Sequence, residues 1–365
     1  MRAALPLLAA AAAALAAAPA GAAAVEAAVR ATDDLERTRT ITIHYRAHNG
    51  SRRAAHVLLP AWYRPGANPP IPLIISPHGR GLTGRQNVAL WGNLPAQGLF
   101  AVVNPDGHGR RLPLHSWGYA GQVDDLARMP EILARKLPWL KVDRSRVYAF
   151  GGSMGGQEVL LLAARYPSLL AGVAAFDSVA DFALQYRRFP RLVCGVRCFE
   201  RYGEPLGRHL QRLARAEIGG TPARAAGAYR ARSPLAYARK LAFSCVPIQL
   251  WWSIADRIVV DQGTQSRRLA EAIRVLNPEA QVYRFAGFWI HTAEMHHRAH
   301  LPRALWTFGR LERRRHGSTR SCRRHLRATA SGRTEPGYDD AVSPGRGSSR
   351  PVSGGPTGTG ATGRR

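Results

Sequence analysis

A serine, an aspartate and a histidine stand in that order at Ser153, Asp256 and His291, each just beyond a short apolar run of strand character. A serine hydroxyl alone is a weak nucleophile. An imidazole that takes its proton, steadied by a carboxylate, makes it able to attack a carbonyl carbon. The serine has the most informative setting. Phe150-Gly151-Gly152-Ser153-Met154-Gly155-Gly156 follows the strand-like residues 146–150 and precedes the helical run 158–166. The pattern predicts strand, sharp turn, helix: a nucleophile elbow with Ser153 at its tip, where Gly151 and Gly155 leave no Cβ to collide with neighbouring chain. An isolated G-x-S-x-G is commonly only a glycine-rich turn. Here the flanks and the ordered partners give it chemical meaning.

The acid and the base must reach the serine from neighbouring loops. Ile248-Gln249-Leu250-Trp251-Trp252 reads as a buried strand, with Asp256 on the turn after it. Asp177, just past the apolar residues 171–176, is the competing acid; with Asp256 preferred, Asp177 and Asp181 are assigned to loop anchoring or pocket lining. His291 is the first histidine beyond the strand-like residues 281–285, ahead of a predicted helix carrying Glu294, His296 and His297. His296 and His300 are four apart but lack a carboxylate at ligand-like spacing, so they read as surface histidines and no metal site is predicted. Donors for a developing oxyanion are expected from the N–H of Met154 and from Gly79 or Arg80 on the turn Pro77-His78-Gly79-Arg80-Gly81, with His78 bracing that turn. Trp117, Tyr119, Asp177 and Tyr186 are the residues assigned to the substrate cleft.

These side chains need a scaffold. Residues 40–48 and 53–59, separated by Asn49-Gly50-Ser51, read as an antiparallel hairpin at a sheet edge. Apolar runs follow at 71–76, 99–104, 146–150, 171–176, 248–252 and 281–285, most of them separated by helical patterns at 123–137, 155–166 and 265–276. Strands alternating with helices predict a doubly wound, mostly parallel α/β sheet. Between 182 and 243 the alternation fails. Helix-like pieces at 207–218 and 221–229 predict a helical insertion, a lid above the sheet's C-terminal edge, after the sixth strand.

The chain has 365 residues, 45% of them hydrophobic, enough for a sizeable core. Residues 1–24, a basic start followed by an alanine-rich, uncharged stretch, read as a secretory signal with cleavage after Ala20 or Ala24. No stable membrane span is expected after cleavage, and the expected location is secreted or in the cell envelope. Residues 25–312 form the expected catalytic domain. Residues 313–365, arginine-rich and poor in large apolar residues, read as a disordered basic tail. The net charge is +28, yet of 52 basic residues only Lys136, Lys141 and Lys240 are lysines. That bias reads as composition rather than a binding patch, and no nucleic-acid partner is expected. Export permits disulfides, with Cys194–Cys198 or Cys198–Cys245 as the possible pairs and Cys322 in the tail.

His78-Gly79, Gly151-Gly152-Ser153-Met154-Gly155-Gly156, Asp256 and His291 resemble the α/β-hydrolase fold. The Gly-Gly-Ser-x-Gly-Gly form is similar to the catalytic domain of prolyl oligopeptidase-type serine peptidases and related secreted esterases, over about residues 70–310. The resemblance implies an acyl-enzyme mechanism on a small ester or peptide substrate, with no metal or organic cofactor. No segment is long or repetitive enough for the β-propeller that gates the oligopeptidases, which favours the small-ester hydrolases. The other reading of the same fold is a catalytically inactive binding protein of the cell envelope.

Overall fold

The structure, a computed structural model, describes residues 37–192 and 200–309. The expected signal segment, the basic tail, Cys194, Cys198 and Cys322 lie outside the described residues. Eight strands form one sheet in the order β1-β2-β4-β3-β5-β6-β7-β8. They are β1 (Thr38–Arg46), β2 (Arg52–Pro60), β3 (Ile71–Ile75), β4 (Ala101–Pro105), β5 (Val142–Gly152), β6 (Gly172–Phe176), β7 (Ile248–Ser253) and β8 (Val282–Gly287). β1 and β2 pair antiparallel, β2 meets β4 antiparallel, and from β4 to β8 every pairing is parallel. The expected mostly parallel sheet with an antiparallel start is the observed one.

The burial of each strand explains its place. β3, β6 and β7 are buried along their whole length, as interior parallel strands must be when helices cover both faces. Their residues alternate between two cores: Leu73, Ala175 and Leu250 enter one, and Ile74, Phe176 and Trp251 the other. β8, at the edge, is only half-buried and presents Tyr283, Arg284 and Ala286 outward.

The helices that matter for the site are α1 (Ala120–Ala127), α2 (Met129–Lys136), α3 (Met154–Arg165), α4 (Phe182–Arg188), α5 (Leu206–Ile218), α6 (Ala226–Ala231), α7 (Ala238–Ala242), α8 (Ser266–Leu276) and α9 (Leu301–Thr307). The single helix expected over 123–137 is two. Pro130, in the first turn of α2, has no N–H to continue an earlier ladder and tolerates only that position. The helix expected over 221–229 begins only at Ala226, after a turn closed by Thr221. Residues 290–300, expected to start a helix, form successive turns instead. Thr292 has φ 59° there, incompatible with a right-handed helix, and α9 starts only at Leu301.

Between β6 and β7 the described residues hold helices and no strand. These helices enclose a third hydrophobic cluster that includes Phe182, Tyr186, Leu206, Leu210, Tyr229 and, from α3, Met154. The insertion therefore packs directly over the residue that follows Ser153.

Candidate active site

β5 runs out through Gly151 and Gly152 into Ser153, and α3 begins at the next residue. Ser153 has φ 54° and ψ −119°, a backbone conformation costly for a residue with a Cβ, and its N–H donates to the Phe176 carbonyl (2.8 Å). The glycines follow from the same tight turn. A Cβ on Gly151 would lie 2.3 Å from the Gly155 carbonyl oxygen, and one on Gly155 would lie 2.3 Å from the Pro77 carbonyl oxygen. Gly155 thus lets the Pro77–Gly81 turn press against the start of α3. The elbow expected from the sequence is the observed conformation. The Ser153 hydroxyl makes no hydrogen bond among the described residues; such contacts are commonly loose until substrate binds.

His291 lies on the loop after β8, and its Nδ1–H donates to Asp256 Oδ2 (2.8 Å). The other ring nitrogen, Nε2, makes no hydrogen bond among the described residues. Asp256 is fixed from all sides. Its Oδ1 accepts from the N–H groups of Ile258 (2.8 Å) and Val259 (3.0 Å), and its Oδ2 also accepts from Gln262 Nε2 (3.1 Å). Its side chain is fully buried, while that of His291 is 14% exposed. Loop and elbow meet, because the space a Cβ would take on Gly152 is bordered by Thr292 Cγ2 and Met295 Sδ, at 3.1 and 3.2 Å.

Asp177, the competing acid, has a different job. Its Oδ1 accepts from the Ser253 N–H (2.7 Å), and its Oδ2 from Trp289 Nε1 (2.9 Å) and the Thr292 N–H (2.7 Å). It ties the ends of β6 and β7 to the loop that carries His291. Burial and the neighbouring Asp256 carboxylate push its carboxyl above the ordinary aspartate value. Ser253 Oγ completes the tie, donating to the Trp289 carbonyl (2.6 Å) and accepting from the Trp289 N–H (3.0 Å). Asp177, Asp256 and His291 bring ligand-type atoms within 4.8 Å of one another. Every carboxylate oxygen among them already accepts an N–H hydrogen bond, so the set is engaged in positioning.

His78 braces the turn beside the elbow. Its Nδ1–H donates to the Gly79 carbonyl and its Nε2 accepts from the Gly107 N–H, both at 2.8 Å. That pattern requires the neutral ring, and burial lowers its pKa accordingly. The Met154 N–H is among the first of α3, which an α-helix cannot satisfy internally. The start of α3, with Met154, and the turn that carries Gly79 and Arg80 are thus held in contact through Gly155.

The residues assigned to a substrate cleft lie in different surroundings. Trp117 and Tyr186 are buried in the insertion's hydrophobic cluster, because rings this large are the material from which a helical cap with no strands makes its core. Asp177 is fully buried and occupied by its three donors. Tyr119 turns toward the hairpin, stacking edge-on with His48 and lying under the Arg232 guanidinium. Sequence reasoning missed Gln262, whose reach to Asp256 crosses a turn that no periodicity reveals. It also missed Glu217 of α5. This buried carboxylate accepts from three successive backbone N–H groups, Arg110, Arg111 and Leu112, and from Arg232 Nη2, fastening the insertion to the loop after β4.

Neither a protein-family model nor a curated protein sequence matches the chain. Among solved structures it is similar to an acylaminoacyl peptidase from Pyrococcus horikoshii, with a TM-score of 0.56 and 16% identity, over 81% of this chain and 45% of that one. A puromycin hydrolase matches with a TM-score of 0.51 and 19% identity, over 70% of this chain and 36% of that one. An esterase from Pyrococcus furiosus matches with a TM-score of 0.52 and 13% identity, over 76% of this chain and 93% of that one. The chain therefore spans less than half the length of the acylaminoacyl peptidase and of the puromycin hydrolase, and nearly all of the esterase. At these identities the likeness is one of architecture: this chain has the α/β-hydrolase fold.

Proposed function

We propose that the protein is a serine hydrolase that cleaves an ester or peptide bond through an acyl-enzyme. The observation that carries the reading is the buried Asp256–His291 hydrogen bond beside a serine held in strained backbone at an elbow. Ser153 Oγ attacks the carbonyl carbon as His291 Nε2 removes its proton. Asp256 holds the ring in the Nδ1–H tautomer and stabilises the imidazolium that forms. The N–H groups of Met154 and of Gly79 or Arg80 receive the oxyanion, each contributing about 3 kcal/mol in comparable sites. His291 returns its proton to the leaving group, and water repeats the sequence on the acyl-enzyme. No step calls for a metal or organic cofactor.

The structural neighbours include peptidases and an esterase. The near-complete match in length to the esterase supports esters of small alcohols or phenols as the first substrates to test. The sequence of residues 1–24 supports an exported enzyme, and Cys245, which is disulfide-bonded, fits an oxidising compartment. Among the described residues no helix is long and apolar enough to cross a membrane.

The test is labelling with a fluorescent aryl phosphonate, combined with kcat/KM on p-nitrophenyl butyrate and on peptide anilides. The expected result is one phosphonate per chain, mapped by mass spectrometry to Ser153, and ester turnover abolished in Ser153→Ala. An unlabelled serine and no turnover of any substrate would favour a binding protein on the same fold.

A further inference from the structure

Gln157 lies one turn into α3, and its N–H donates to the Ser153 carbonyl (3.0 Å), the first rung of the helix after the elbow. Its side chain is wholly buried. There Nε2 donates to two backbone carbonyls from different segments: that of Arg232 in the insertion (2.6 Å) and that of Trp117 on the loop before α1 (3.2 Å). The other end of the carboxamide, Oε1, has no hydrogen-bond partner among the described residues. A buried amide oxygen left unpaired is costly, so this side chain is held by its donor end.

Both acceptors are themselves fixed. Arg232 is buried, its Nη1 donating to the Ser116 carbonyl (2.5 Å) and its Nη2 to Glu217 Oε1 (3.0 Å). Trp117 has φ 41° and Gly118 φ 72°, left-handed backbone that is costly for the tryptophan. The turn they make is pressed against α3. A Cβ on Gly118 would lie 2.5 Å from Leu161 Cδ1, and 3.3 Å from both the Arg232 carbonyl oxygen and Gln157 Nε2. Beside Gln157, Glu158 accepts from Ser116 Oγ of the same loop. The Trp117 ring packs in the hydrophobic cluster that also holds Met154 and Tyr229. One carboxamide thus joins the insertion and a strained turn to the first turn of the helix that Ser153 begins.

We infer that Gln157 is a positioning residue, which couples the seating of the insertion to the geometry of Ser153 and of the Met154 peptide. The inference rests on the hydrolase reading for the reaction that is positioned. An insertion seated through Arg232 holds the first turn of α3 in one arrangement, and with it the nucleophile and the N–H assigned to the oxyanion. An insertion that shifts carries the Arg232 carbonyl with it and draws on that turn. Gln157 itself touches no reacting atom.

Gln157→Leu keeps much of the volume and removes both donors. With p-nitrophenyl acetate, kcat per active site, the sites being counted by phosphonate titration, is expected to fall by about tenfold while KM stays within about twofold. A merely structural role would lower the number of titratable sites and leave kcat per site unchanged. Arg232→Lys, the variant to use if Gln157→Leu does not fold, is expected to lower kcat per site by about threefold, and the double variant no further than Gln157→Leu alone, since both act through one joint. A second readout needs no turnover. In protein labelled with carbon-13 at the methionine methyl groups, the Met154 resonance, assigned through Met154→Leu, is expected to shift and broaden in both variants, while that of Met129, in a different core cluster, stays in place. A response of Met154 in a protein that shows neither turnover nor labelling would sink the hydrolase reading and leave the coupling standing. A Met154 resonance unchanged in the folded variants, an unchanged kcat per site, or effects that simply multiply in the double variant would overturn the inference.

Discussion

Two buried carboxylates stand beside one imidazole, and their hydrogen bonds separate their roles. Asp256 addresses the ring of His291, whereas Asp177 addresses the backbone and indole that hold the ring's loop. Asp256→Asn is therefore expected to lower kcat by about 10³- to 10⁴-fold, by favouring the wrong tautomer, with a small change in melting temperature. Asp177→Asn turns an amide N–H toward donors that have no other acceptor. Its expected effect is a loss of about 2–4 kcal/mol of stability with a smaller loss of kcat. Thermal melts and steady-state kinetics on both variants check the division, and equal kinetic effects would refute it. The sharp turn at Ser153 and the places of Asp256 and His291 just beyond strand ends were legible in the sequence because each follows a strand whose apolar run is unmistakable. The surroundings of Trp117 and Tyr186 were not. An aromatic on a loop looks the same in sequence whether it faces substrate or builds a cap, and only the packing of Trp117 and Tyr186 against Phe182 and Tyr229 decides.

At the scale of elements, the site depends on how closely β5, α3 and the Pro77–Gly81 turn approach one another. Gly155→Ala places a methyl group 2.3 Å from the Pro77 carbonyl oxygen, a backbone atom that cannot swing aside. The turn that offers Gly79 and Arg80 must then retreat, and kcat is expected to fall by about 10- to 100-fold together with stability. Gly227→Ala in α6, where nothing lies within 4 Å of the added carbon, is expected to stabilise by about 0.5–1 kcal/mol and to leave kcat unchanged. Differential melting and kinetics on the pair distinguish a specific close approach from a general intolerance of change. Six strands were readable from short apolar runs, the interior parallel ones most clearly because cover on both faces leaves little room for polar residues, and β1 and β2 were readable as a hairpin. Helix ends were less so. Pro130 divides one periodic stretch into two helices, and the left-handed Thr292, its N–H drawn to Asp177, prevents another.

At the scale of the whole molecule, the helix that follows Ser153 also carries a pH-sensitive part of the stability. Glu158 of α3 is fully buried, accepts a hydrogen bond from Ser116 Oγ and has no partner for Oε2 among the described residues. Burial pushes its pKa from the ordinary 4.5 to about 8. Between those values the folded protein keeps a proton that the unfolded chain releases, so this contribution to stability is complete below about pH 4.5 and is lost as pH rises through about 8. Glu158→Gln, which mimics the protonated carboxyl, is expected to flatten the pH dependence of the melting temperature and to stabilise at pH 8 by on the order of 3 kcal/mol. Denaturant melts from pH 5 to 9 measure this, and parallel curves for the variant and the parent would contradict it. No residue pattern announced such a group, because its environment arises from segments distant in the chain. A similar joint has a consequence for exchange between proteins. Glu217 anchors the insertion on the scaffold at Arg110–Leu112, and α4 adds a second joint, with Gln185 Nε2 and the Arg188 guanidinium donating to the carbonyls of Ile258 and Val260 in the loop that follows Asp256. The insertion is in that sense keyed to the sheet in two places. Recombination that trades it for another must supply both an acceptor for those three peptide groups and donors for those two carbonyls, or leave backbone groups beneath it without partners.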